Sequence, residues 1–214
     1  MYNSIIEGLD KDLDSKVLKT ICLTFNTSIS VYNELIEKES DIFSGDYFKE
    51  IKGRLLGFII KRAFDPKLLP NNFPFDVQII NLPFKQKTPK LKRGNTVLTI
   101  SKVMDSESLP GESKYKKELA KGNSIFNNQL EFNLDCINIQ TAPYYGIIAY
   151  KFYDDELKSL KILIPDSDFK TVLRSISVPI VHVFEDEEIQ EDTILSKESL
   201  KQSVLNDINL KIIN

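Results

Sequence analysis

Phe64-Asp65-Pro66 and, a little further on, Asp76-Val77-Gln78-Ile79-Ile80-Asn81 are the residues on which the fold turns, because the hydrophobic period changes between them. Before Phe64 the apolar positions Ile6, Leu9, Leu13, Val17, Ile21, Phe25, Ile29, Tyr32 and Ile36 recur at three and four. That spacing predicts an amphipathic helix from Asn3 to about Lys38, or two helices broken near Asn26-Thr27-Ser28. A Ser44-Gly45-Asp46 turn leads into a second helix over about Asp46–Phe64, closed by Asp65-Pro66. Its apolar residues lie on two sides: Phe48, Ile51, Leu55 and Ile59 on one, Leu56, Ile60 and Phe64 on the other. Such a helix is expected between two neighbours, with Gly53 and Gly57 admitting a partner backbone. Glu50 and Arg54, at i and i+4, read as a surface ion pair.

After Pro66 the pattern is that of strands. Asp76–Asn81 and Thr96–Val103 alternate or run β-branched, and Gln129–Asp135, Gly146–Tyr153, Ser159–Ile164 and Val178–Phe184 follow. Asp154-Asp155-Glu156 reads as a hairpin turn. Between the first two strands, Leu82–Asn95 reads as a basic loop. Glu112–Lys121 reads as a short basic helix, Asp166-Ser167-Asp168 as the cap of a helix to about Ile176, and Ser196–Leu210 as a terminal helix capped by Ser196 or Ser199. Helices first and a mostly antiparallel sheet with helical insertions second make the fold class α+β. With no clean linker, the chain reads as a single α+β domain over 1–214. Its N-terminal helices occupy 1–65, the sheet 66–184, and a C-terminal helical segment 193–214.

Composition excludes several functions. At 42% hydrophobic and a formal net charge of −3 over 214 residues, the chain has enough apolar surface for a core, and disorder is excluded. The longest uncharged apolar run, Leu55–Ile60, is far short of the roughly 20 residues of a spanning helix. The first residues, Met1–Glu7, have no basic segment followed by an apolar one, so no secretory leader is expected and the location reads as cytoplasmic. With one histidine, His182, no multi-histidine zinc site is available, and on alternating geometry His182 reads as a packed strand residue. Neither a phosphate-binding glycine loop nor a nucleophile elbow is present, so no cofactor is expected. The two cysteines, Cys22 and Cys136, read as small core or near-core residues. Their number is too small for a disulfide scaffold. The 26 isoleucines, 24 lysines and 15 asparagines against 4 arginines match AT-rich codon usage, as in a bacterium or its mobile elements.

Charge asymmetry is the most informative feature. Residues 1–50 carry net −5, residues 51–122 net +9 and residues 123–214 net −7. The basic centre contains Lys85, Lys87, Lys90, Lys92 and Arg93 beside Phe84, then Lys114, Lys116 and Lys117 around Tyr115. Cations interleaved with aromatics suit phosphate contact and base stacking, and a scarcity of arginine argues for backbone contact over base readout. The expectation is a non-catalytic protein that binds a macromolecule, nucleic acid or another protein, through this segment.

Four alternatives are legible. Pro165-Asp166-Ser167-Asp168-Phe169-Lys170 superficially resembles the PD-(D/E)xK signature of nucleases, but both acids fall within three residues, where helix capping uses them. A metal-dependent nuclease would need other ligands, such as Asp76 and Glu131. Asn123, Asn127, Asn128 and Gln129 with Tyr144-Tyr145 outline a polar pocket. The acidic run Glu185–Asp192 suits a basic partner or a solvated loop, and the N-terminal helices suit a protein-interaction module.

Overall fold

The computed structural model describes residues 2–38, 46–124, 143–153, 156–180 and 195–213. Among these, five helices accompany a six-stranded, mostly antiparallel sheet, an α+β arrangement.

The N-terminal periodic stretch forms two helices, α1 (Tyr2–Asp12) and α2 (Ser15–Lys38). The break falls at Leu13-Asp14 and not near Asn26-Thr27-Ser28. Asp14 Oδ1 accepts the Val17 N–H at 2.9 Å, the geometry of an N-cap. Further along, the buried Thr24 and Ser28 donate their hydroxyls to carbonyls four positions back, Thr24 to Thr20 at 2.9 Å and Ser28 to Thr24 at 2.7 Å, so both stay inside the helix. Val17, Ile21, Cys22, Phe25, Tyr32 and Leu35 form the buried stripe of α2. Cys22 is fully buried, as its place on the apolar side predicts; Cys136 lies outside the described residues.

Helix α3 (Asp46–Ala63) buries Phe48, Leu56, Ile59, Ile60 and Ala63 and leaves Ile51 48% exposed, so only a portion of the expected second face is covered. The Ser44-Gly45 turn before it and the Glu50 side chain lie outside the described residues. Gly53 and Gly57 face side chains, not a backbone: a Cβ at Gly57 would lie 3.2 Å from the Tyr150 hydroxyl, and one at Gly53 3.2 Å from Lys102 Nζ. Gly57→Leu is therefore expected to destabilise the protein by roughly 1–3 kcal/mol through overpacking, measured by thermal or urea melting; a variant that melts like the parent would make this contact peripheral.

The sheet runs in sequence order: β1 (Asp76–Asn81), β2 (Lys87–Arg93), β3 (Thr96–Lys102), β4 (Tyr144–Tyr153), β5 (Glu156–Pro165) and β6 (Val172–Ser177). Every neighbouring pair is antiparallel except β3–β4, which is parallel and needs a crossover. That crossover contains α4 (Lys114–Ala120). Strands β4 and β5 close on the pair Tyr153↔Glu156, as the hairpin turn predicts. The expected strand Gln129–Asp135 lies outside the described residues, and Val178–Ile180, the described start of the expected Val178–Phe184 strand, is irregular.

Two further expectations are overturned here. The basic segment is not a loop: Lys87–Arg93 pairs with β1 on one side and, from Lys90↔Thr99 onward, with β3 on the other. Pro89, which has no N–H, sits just outside the β3 register. Nor does Asp166 start a helix. Its carboxylate accepts the N–H groups of Lys170 at 2.7 Å and Thr171 at 3.1 Å and the Thr171 hydroxyl at 2.7 Å, with Phe169 at φ 61°. This folds the chain back into β6, whose residues alternate in burial.

One face of the sheet packs on α1, α2, α3 and the C-terminal helix α5 (Lys197–Ile213) through Leu91, Leu98, Ile100, Ile148, Ile162 and Ile164. Phe25 meets Phe64 and Tyr150 at ring centroid distances of 6.0 and 5.5 Å. Helix α5 begins where Ser196 Oγ accepts the Ser199 N–H at 3.3 Å. It is tied to α2 where Lys201, Lys38 and Lys197 surround Glu34, Lys201 having the largest effect, and hold its carboxyl down to about 2. The opposite face carries a smaller cluster, Val97, Tyr145, Ile147, Ala149 and Leu163, under Ala120 of α4 and Phe169. No described helix is long and apolar enough to cross a membrane.

Candidate nucleic-acid interface

Strand alternation sorts the cations of β2. Leu91 enters the main core, so Lys87, Pro89 and Arg93 share its side, while Thr88, Lys90 and Lys92 point to the face that bears α4. Lys90 and Lys92 are thus about 6.7 Å apart along one face of one strand. Lys92 is exposed and stands opposite Asp76 across the β1–β2 pair; Lys90 is half-buried opposite Gln78 and Thr99. Lys85 ends the 3₁₀ turn Pro83–Lys85 at φ 57°, and both it and Lys87 are exposed. The Phe84 side chain lies outside the described residues.

Not every predicted cation is available. Arg93 donates to Asp14 Oδ2 at 2.9 Å, so its charge is spent on the start of α2 instead of projecting to solvent. On α4, Lys114 is exposed, and Lys117 pairs with Glu112 at 2.7 Å. Lys116 is not a surface residue: it is 8% exposed and donates to the Gly111 carbonyl at 2.8 Å. Burial, followed by the charge of Lys61, pushes its ammonium down to about 8. What remains is Lys85, Lys87, Lys90, Lys92 and Lys114, none of which forms an ion pair within 4 Å among the described residues.

Of the residues expected to outline a polar pocket, Asn123 and Tyr145 are engaged within the fold. Asn123 is fully buried, its Nδ2 donating to the carbonyls of Tyr145 at 2.8 Å and Pro165 at 2.7 Å, and its Oδ1 accepting the Tyr145 N–H at 2.8 Å. The Tyr145 hydroxyl is bonded to Thr99 Oγ1 at 2.7 Å, and burial raises its pKa. Tyr144 lies on the other sheet face, in the main core. These are structural groups, and the triple role of Asn123 has no signal in the sequence beyond an asparagine next to a helix end. Asn127, Asn128, Gln129, Glu131, His182 and the acidic run Glu185–Asp192 lie outside the described residues.

Asp76 stands at the start of β1, and no group of three or more His, Cys, Asp or Glu among the described residues is arranged to hold a metal ion. Two hollows among the described residues are open: one of about 320 Å³ lined by Glu112, Ser113, Lys114, Lys117 and Glu118, and one of about 460 Å³ lined by Leu69, Pro70, Asn71 and Asn72. No protein-family model, no curated protein and no solved structure matches this chain.

Proposed function

We propose that the protein is a non-catalytic binding protein that engages a polyanion, nucleic acid first, along β2 and the exposed side of α4. The observation that carries this reading is the run Lys85, Lys87, Lys90 and Lys92: four cations in eight residues, without an ion pair among the described residues. The arginines, by contrast, include matched ones: Arg62 pairs with Asp65 and Asp207, and Arg174 with Asp10 at 2.7 Å. Lys90 and Lys92, two residues apart on one face of a paired strand, are also spaced and held, which lowers the ordering needed when phosphates bind. Lysine ammoniums supply point charges and not the bidentate forks that read guanine, so the contact is to the backbone and largely indifferent to sequence.

Replacing Lys85, Lys87, Lys90 and Lys92 by Gln tests it. The melting temperature is expected to stay near that of the parent, because Lys85, Lys87 and Lys92 are exposed and the half-buried Lys90 forms no ion pair among the described residues. Binding to single- or double-stranded DNA or RNA, measured at low salt, is expected to be lost. In the parent, each phosphate contact adds roughly 0.7 to 0.9 to the log–log dependence on salt. Parent protein that binds none of these nucleic acids at low salt defeats the reading and leaves a protein partner as the better account.

A further inference from the structure

Helix α5 is attached differently from the other long helices. Helix α2 buries nine of its residues. Among the described side chains of α5 only Leu200 and Val204 are buried, one turn apart, with Leu205 and Ile208 half-buried against the same core. Its ties to the body are otherwise polar, and they converge on two side chains. Glu34 of α2 receives Lys197 at 3.3 Å on Oε2 and Lys201 on Oε1, the oxygen that also takes Lys38 at 2.8 Å. Arg62 of α3 donates through Nε to Ser203 Oγ at 2.9 Å and lies 3.2 Å from Asp207 Oδ2. Three ammoniums thus crowd one carboxylate, and α5 brings two of them. Without the charge of Glu34 they would repel one another across the α2–α5 contact. Glu37 also acts on Lys38, but more weakly than Glu34 does.

We propose that α5 is a releasable strap with Glu34 as its latch: the helix opens from α2 and α3 as one unit while the sheet stays folded. Two features of the chain make that opening cooperative. Ser199, Ser203, Asn206 and Asp207 are weak helix formers, and a helix of this length is marginal in water without packing, so α5 unwinds as it leaves. It also takes no part in the six-stranded sheet, so its release breaks none of the ladders. Opening bares the surface of α2 and α3 under Leu200 and Val204, and the strap therefore controls whether that apolar surface meets solvent. None of the β2 lysines takes part, so the strap stands or falls separately from nucleic-acid binding.

Native-state hydrogen exchange of the full chain, read by mass spectrometry, tests it. In the parent, the amides of α5 are expected to be at least about tenfold less protected than those of β4 and β5. Their protection should fall further as salt rises from about 0.05 to about 1 M, because screening weakens ion pairs between partly exposed groups. Glu34→Gln is expected to raise the opening of α5 roughly tenfold with β4 and β5 unchanged. In that variant the opening should no longer rise with salt, since screening now relieves the repulsion among Lys38, Lys197 and Lys201. Arg62→Met should also raise the opening but keep the salt response, which belongs to Glu34. Lys161→Gln, which breaks the pair of β5 with Glu107, should leave α5 as it is in the parent. Amides of α5 as protected as those of β4 and β5 in the parent overturn the proposal, as does an opening indifferent to both salt and Glu34→Gln. A Glu34→Gln variant in which β4 and β5 loosen as much as α5 also overturns it, because Glu34 then supports the whole fold and α5 does not open alone.

Discussion

Asn123→Ala is expected to lower stability by roughly 3–6 kcal/mol, because the side chain does the work of a missing strand residue. The β4–β5 register ends at Ile147↔Leu163, and continued two residues further it would oppose Tyr145 and Pro165. The Asn123 amide sits between those two residues and bonds Tyr145 N–H, Tyr145 C=O and Pro165 C=O, all in the buried cluster under α4. Removing it strands one donor and two acceptors away from water, and each buried orphan costs about 1–3 kcal/mol. Asn123→Asp sharpens the test. Its carboxylate keeps the bond from Tyr145 N–H but faces two carbonyls with nothing to donate, so burial raises its folded-state pKa above the unfolded value. A raised folded pKa means that stability is present at low pH and lost as pH rises through it. The aspartate variant should accordingly regain stability on acidification, relative to the parent measured at the same pH. An alanine variant within about 1 kcal/mol of the parent in urea melts would show that the amide is not holding the strands together.

Gly94→Ala is expected to cost about 3–5 kcal/mol, for a reason that joins α1 to the sheet. Gly94 turns β2 into β3 at φ 53°, in the left-handed region, where an L side chain is strained by roughly 1–2 kcal/mol. A Cβ there would lie 2.1 Å from Asp12 Oδ1. Asp12 cannot retreat freely, because its Oδ2 accepts the Asn95 N–H and the Thr96 hydroxyl, both at 2.9 Å. Moving the carboxylate gives up two charge-assisted bonds worth about 1.5–3 kcal/mol each. Asp12→Ala removes the obstacle along with those bonds. A double-mutant cycle should therefore show the second substitution costing at least about 1 kcal/mol less in the presence of the first. Additive losses would mean that the turn and Asp12 are independent.

Both positions lie where sequence reasoning is weakest. The β1 boundaries, Asp76–Asn81, are legible because Val77 and the β-branched pair Ile79-Ile80 have strong strand preference and Pro74 breaks what precedes them. The terminal helix and its Ser196 cap are legible for the same local reason. Lys87–Arg93 is not legible as a strand: with four cations, a proline and one core residue, Leu91, it has little strand preference of its own. It is a strand because β1 and β3 flank it and satisfy its backbone groups, a condition no local window contains. Asp166 misleads in a different way. An aspartate that accepts N–H groups ahead of it opens a helix or a tight turn with the same chemistry, and the choice is made by β5, whose free edge receives Val172–Ser177.

Sequence alone determined the α+β class, the apolar face of α2, and the excess of positive charge in the central third, because periodicity and composition are local quantities that survive any arrangement of the elements. Tertiary structure alone decided what each of those charges does. Arg93 meets Asp14, 79 residues away, and is neutralised; Lys116 turns inward beneath α4; Lys85, Lys87, Lys90 and Lys92 remain without ion pairs among the described residues. The physical reason is that a charge is set by what lies within a few ångströms of it, and those neighbours come from distant stretches of the chain only once the sheet has placed them there.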